Sequence, residues 1–100
     1  MARARIPVPS ERLAAYCRQH HIRKLALFGS VLRDDFTPDS DVDVLVEFEP
    51  GHVPGLSFYT MESDLSALLG RKVDLNTPAS LSRYFRADVL AHAETQYVSP

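Results

Sequence analysis

Cysteine is almost missing from this chain. Cys17 stands alone, so no internal disulfide can form and no Cys-x-x-Cys pair can hold a metal. It falls in an amphipathic helical segment, where it reads as a small core residue. Long apolar runs are missing as well. No stretch has the length of a membrane span or the apolar core of a signal peptide, and the opening Met1-Ala2-Arg3-Ala4-Arg5 is too short to direct targeting. A cytoplasmic location is therefore expected. Nor is there a large excess of charge: the formal net charge is −2. That disfavours a dedicated nucleic-acid binder, whose affinity comes largely from Lys and Arg neutralising phosphates. Repeats, low-complexity tracts and linkers are absent from the sequence too.

What is present is ordinary globular material. Hydrophobic residues are 45% and charged residues 24%, which separates the chain from disordered sequences. Its 100 residues suggest a single domain over 1–100 with one modest core. Such a chain has no room for a second domain that would hold a large co-substrate, so a bulky acceptor would bring its own binding surface.

Ser10, after Pro9 and before Glu11, reads as the N-cap of a helix that runs to about His20. Leu13, Ala14 and Cys17 lie on one face of it, and Arg18, His20 and His21 suit the negative end of its dipole. The apolar run Lys24-Leu25-Ala26-Leu27-Phe28 reads as a buried strand ending abruptly at the Gly29-Ser30 turn. Residues 31–40 are polar and turn-rich. They lead into the strongest strand, Asp41 to Phe48, whose period of two sets Asp41, Asp43, Leu45 and Glu47 on one face and Val42, Val44, Val46 and Phe48 on the other.

After a Pro/Gly-rich loop, Phe58, Met61, Leu65, Leu68 and Leu69 recur at helical spacing, and Gly70 marks the stop. Arg71 to Asn76 form a third strand with Lys72, Asp74 and Asn76 on one face. Thr77-Pro78 looks like an N-cap with proline at the first helical position, opening a last helix that carries Leu81, Tyr84, Phe85 and Val89. The tail from about Thr95 is expected to fray. The order implies an α/β (α+β) fold, a small mixed sheet of three or more strands with helices packed on it.

The chemistry concentrates in Gly29-Ser30, ten intervening residues and Asp41-Val42-Asp43. Glycine allows a sharp turn and close approach to a ligand. The Ser30 N–H and hydroxyl, at the start of a short helix, can grip phosphate oxygens. Asp41 and Asp43 point to the same side of their strand, roughly 6–7 Å apart at the backbone. Two ionised carboxylates at that separation repel by about 3 kcal/mol at an effective dielectric of about 20, so a cation is expected to relieve them. Asp74 supplies a third carboxylate. Hard oxygen ligands without histidine or cysteine nearby favour Mg²⁺, with Mn²⁺ as an alternative, over zinc. Phosphate-gripping groups beside paired carboxylates imply two-ion nucleotidyl transfer, with Asp74 as acceptor of the attacking hydroxyl's proton. Four fixed positions at background frequencies of about 6% should coincide by chance at one start in about 10⁵, so the joint spacing is specific where each piece alone is not.

Gly29-Ser30, the ten-residue gap and Asp41-Val42-Asp43 resemble the signature of the polymerase beta nucleotidyltransferase superfamily. The flanking runs Leu27 to Arg33, Pro38 to Phe48 and Leu69 to Leu75 are similar to its prokaryotic minimal nucleotidyltransferases, and the resemblance covers about residues 10–92. It implies Asp41, Asp43 and Asp74 as catalytic metal ligands, and Gly29 and Ser30 as contacts of an ATP triphosphate. Arg33 matches an arginine that helps hold phosphate. Leu32 and Asp34 stand where the family commonly has alanine and glycine. Many relatives are antitoxins encoded beside a HEPN-domain ribonuclease toxin, and some transfer AMP to a tyrosine of that toxin. By resemblance, the partner is a HEPN-domain toxin.

Two other readings compete: a non-catalytic antitoxin or regulatory module that neutralises a partner by contact, and nucleotide transfer to a small molecule or RNA. Substituting Asp41 and Asp43 separates the first from catalysis. The missing acceptor domain and the net charge weigh against the second. Among weaker candidates, His20 and His21 diverge by about 100° on a helix and cannot clamp one metal. Lys72 reads as a solvated strand lysine that could face a triphosphate, and His52 lies in a loop that could close over the site. Tyr59, Met61, Tyr84 and Phe85 read as core or interface.

Overall fold

The computed structural model describes residues 4–100; Met1-Ala2-Arg3, the start of the segment considered for targeting, lie outside the described residues. Helix α1 spans Ser10–Gln19. Ser10 is its first helical residue and not its cap: Pro9 occupies that place, and the Pro9 carbonyl accepts from the Leu13 N–H at 2.9 Å. The helix thus begins on a backbone bond that proline can still offer, with no side-chain cap. It buries Leu13 and Cys17, as their spacing requires. The chain leaves through His21, whose φ of 57° lies in the left-handed region and aims it straight into the sheet.

Strand β1 covers Ile22–Phe28, two residues longer at its start than its apolar run suggests, because Ile22 is buried and pairs with Phe48. A 3-10 turn over Gly29–Leu32 follows. Strand β2 is Val42–Phe48, antiparallel to β1, and helix α2 is Ser57–Leu69, closed by Gly70 at φ 70°. Strand β3, Val73–Asn76, runs parallel to β2. Thr77 caps as expected, with Pro78 behind it, and forms a capping box with Ser80, but around a 3-10 turn at Pro78–Ser80 and not a long helix. The chain is extended at Leu81, which turns inward and is buried; helix α3 starts only at Arg86 and ends at His92. Tyr84 and Phe85 are consequently 85% and 51% exposed, and Tyr59 is exposed as well; of the four aromatic and sulfur residues read as core or interface, only Met61 is buried.

The tail does not fray. Glu94–Val98 forms strand β4, antiparallel to β1, giving the sheet order β3-β2-β1-β4. Its pairing satisfies backbone groups on a β1 edge that would otherwise be open, and Tyr97 packs on the main core. That core gathers Leu13, Leu25, Leu27, Val44, Val46 and Leu65 between the sheet and the helices α1 and α2. Leu45 is buried on the opposite, carboxylate-bearing face. It sits across from Ala26, and with Leu81 these residues lie outside the main cluster. The chain after β3 returns against β2 there, so both sheet faces are partly covered. Among the described residues, no helix is long and apolar enough to cross a membrane.

Candidate active site

Two strand registers bring the site together. Phe28, the last residue of β1, pairs with Asp43, and Asp43 pairs in turn with Asp74 across the parallel β2–β3 ladder. Residues opposite each other in a ladder share a face, so Gly29-Ser30, Asp43 and Asp74 meet at one end of the sheet. Gly29 has φ 77°, and a Cβ there would collide with the Asp43 carboxylate. The turn therefore needs glycine twice, for its dihedral and for its proximity. Asp41 precedes β2 and is more exposed; its Oδ2 lies 4.0 Å from the Lys72 ammonium. Lys72 is mostly solvated and pairs loosely with Asp41.

The electrostatics of the site centre on Asp43. Burial pushes its pKa up to about 6, the neighbouring carboxylates of Asp74 and Asp41 add to the rise, and the Arg33 guanidinium opposes it. Asp74 is also close enough to hydrogen-bond with Asp43, an arrangement that requires a proton or a cation between two acceptors. Among the described residues, no three His, Cys, Asp or Glu side chains are clustered so as to cage a metal ion in their present orientations. The donor chemistry nevertheless fits a hard divalent ion: an all-carboxylate set in which burial, with the neighbouring Asp74 and Asp41 charges, raises the Asp43 pKa.

Arg33 is exposed, bonded to Asp35 at 3.2 Å, and near enough for Asp43 to feel its charge. Asp34, in the place of the family's glycine, does not stand as a free anion: its carboxylate pairs with the Arg5 guanidinium. His21 and His52 do not reach the site carboxylates. His21 and His52 stack with ring centroids 3.9 Å apart, and His21 is 3.2 Å from Glu49, at the far ends of β1 and β2.

Glu62 is a residue that sequence reasoning passed over. Strand β3 is a sheet edge, and α2 serves its outward N–H groups: Glu62 Oε2 accepts from Leu75 N at 2.9 Å, and Ser66 Oγ accepts from Val73 N at 2.9 Å. Asp74 is thus held between two anchored residues. The available signal was their i, i+4 spacing on one face of α2.

The nucleotidyltransferase domain family matches residues 10–95, and the chain belongs to it. A protein adenylyltransferase, MntA, from Thermococcus cleftensis is 43% identical over 70 residues, which is 69% of this chain and 69% of that protein. A solved structure described as a minimal nucleotidyltransferase superposes with a TM-score of 0.69 at 34% identity, covering 84% of this chain and 85% of the other. A toxin–antitoxin structure with AMP-PNP superposes with a TM-score of 0.72 over 92% of this chain and 75% of its own, at 18% identity, a likeness of fold. The chain is a nucleotidyltransferase of the minimal kind.

Proposed function

We propose that this nucleotidyltransferase is an antitoxin that transfers AMP from ATP to a tyrosine hydroxyl of a partner HEPN-domain toxin. The observation that carries this reading is the seating of the Gly29-Ser30 turn directly against the Asp43–Asp74 pair. The relative named as a protein adenylyltransferase and the toxin–antitoxin likeness with AMP-PNP support the donor and the class of partner.

Ser30 N–H and hydroxyl hold the triphosphate, and Arg33 adds charge to it. Asp41, Asp43 and Asp74 would hold Mg²⁺, which when bound neutralises charge on the phosphates and the attacking oxygen. The acceptor oxygen attacks the α-phosphorus, its proton passes to an Asp74 carboxylate oxygen, and the bond to pyrophosphate breaks. Asp74 suits this role because it is exposed at the sheet edge, open to a protein acceptor.

Labelled ATP, Mg²⁺ and a HEPN-domain toxin test the reading. Label appears on the toxin and is lost with Asp41→Ala/Asp43→Ala. Absence of label across nucleotides would sink it. A contact-only antitoxin is favoured by one feature, the exposed apolar side chains of Val53, Leu56 and Tyr59. In that case the double substitution would leave neutralisation intact.

A further inference from the structure

Asp43 and Asp74 are fixed by the sheet, because they face each other in the β2–β3 ladder. Asp41 has no such partner: the ladder begins at Val42, one residue later. Its place depends on the turn Thr37-Pro38-Asp39-Ser40 that delivers the chain to it. In that turn the Ser40 N–H donates to the Thr37 carbonyl at 3.0 Å, and the Thr37 N–H donates to Ser40 Oγ at 3.0 Å. Those bonds give the turn its shape but do not tie it to the sheet.

The tie is Arg71, just before β3. Its Nη1 donates to the Thr37 and Pro38 carbonyls, each at 3.2 Å, and its guanidinium carbon lies 4.7 Å from the centroid of the Phe36 ring. We infer that Arg71 is a positioning residue of the nucleotidyl-transfer site, holding the turn so that the Asp41 carboxylate stands beside Asp43 and Asp74 as a metal ligand. The inference rests on the nucleotidyl-transfer reading and deepens it. Both ends of the brace are anchored. The Arg71 N–H donates to the Ser66 carbonyl of α2 at 3.1 Å, and Phe36 packs against the main core. The Lys72 carbonyl then accepts from the Val42 N–H at 2.9 Å. Two consecutive residues, Arg71 and Lys72, thus grip the chain on both sides of Asp41.

The chemistry of the contact separates this role from that of an ordinary ion pair. Arg5 and Arg33, on the same side of the loop, are paired with Asp34 and Asp35. Among the described residues, no carboxylate lies within ion-pair distance of Arg71. Its charge is directed to two carbonyls and an aromatic face. A cation bound by Asp41 therefore does not compete with it. Lys72 differs, since its ammonium lies 4.0 Å from Asp41 Oδ2, where a metal ion would replace it. The contact also needs arginine: a lysine ammonium has no plane to lay on Phe36.

Calorimetric titration of ATP into the full chain across a series of Mg²⁺ concentrations tests the assignment, with circular dichroism confirming each variant's fold. Arg71→Met should raise the Mg²⁺ concentration that half-saturates the effect on ATP affinity at least about tenfold, the usual loss when a group that orients a metal ligand is removed. Arg71→Lys should recover only part of it. Phe36→Leu, which removes the ring and leaves both carbonyl bonds, should give a smaller shift in the same direction, and it decides the matter where Arg71→Met does not fold. Leu13→Ala, in the core under α1, should lower the melting temperature and leave the Mg²⁺ midpoint unchanged, which a merely structural role for Arg71 does not predict. A wild-type midpoint in folded Arg71→Met, or a shift of equal size in Leu13→Ala, overturns the positioning role. If the wild-type chain binds no ATP at any Mg²⁺ concentration, the nucleotidyl-transfer reading falls and takes this inference with it.

Discussion

The backbone of Gly29 and the carboxylate of Asp43 are so close that no side chain fits between them, and Gly29 also holds a φ of 77° that L-residues rarely adopt. The Gly29-Ser30 turn and the acid that faces it are thus one mechanical unit. Gly29→Ala should cost about 1–3 kcal/mol from strain alone and displace either the turn or Asp43. The expected outcome is a lower urea midpoint together with loss of AMP transfer. Normal transfer in a folded Gly29→Ala protein would contradict the close approach.

Asp43 titrates upward, to about 6, through burial first and then through Asp74 and Asp41. A carboxyl whose folded pKa lies above its unfolded value contributes stability at low pH and loses it as pH rises through the folded value. Without divalent ions the chain should therefore lose stability between pH about 4, the ordinary carboxyl range, and pH about 6. Asp43→Asn should be the more stable protein at pH 8, by about 1–2 kcal/mol after solvent screening of this partly exposed group. Mg²⁺ should raise the melting temperature of the wild-type chain and not of Asp43→Asn. Equal shifts in both would argue against Asp43 as a ligand.

Glu62 anchors the edge strand that carries Asp74 by accepting from the Leu75 N–H. Glu62→Ala leaves that N–H without its partner and should destabilise the chain by about 1–3 kcal/mol. Glu62→Gln retains an acceptor and should restore most of the loss. Transfer activity should follow the same order, since Asp74 moves with its strand; hydrogen exchange at Leu75 provides a direct measurement.

Deleting residues 94–100 removes β4 and opens the β1 edge. Exposed edges template association, so the shortened chain should be less stable and should self-associate on size-exclusion chromatography. A monomer of unchanged melting temperature would show that β4 contributes nothing.

Cys17 is fully buried, and burial pushes its thiol up to about 12. Thiolate, not thiol, is the nucleophile. Alkylation by iodoacetamide at pH 8 should be slow in the folded chain and become fast only in denaturant. Rapid labelling without unfolding would place Cys17 outside the core.

Much of this was legible because it is local. A period of two from Val42 to Phe48, a period of 3.6 from Phe58 to Leu69, and Gly70 as the stop all follow from the covalent geometry of the chain. The misreadings lie where distant segments decide. The residues from about Thr95 read as a tail because so short a stretch carries little pattern of its own, and pairing with β1 makes Glu94–Val98 a strand. Leu81 ended the reading of one long helix because its burial against the sheet outweighs the local helical spacing.

The sequence by itself determined the spacing from Gly29-Ser30 to Asp41 and Asp43, the identity of the acids, and the alternation that turns both carboxylates to one side. Those are properties of neighbours along the chain, set by bond geometry and turn chemistry. Only the tertiary structure decided that Asp74 pairs with Asp43, that Glu62 anchors the strand carrying Asp74, and that α3 borders a cavity beside Gly29. Each joins residues more than ten positions apart, and such contacts depend on which strands pair and in what register, a choice made by burial of the whole core and not by any local period.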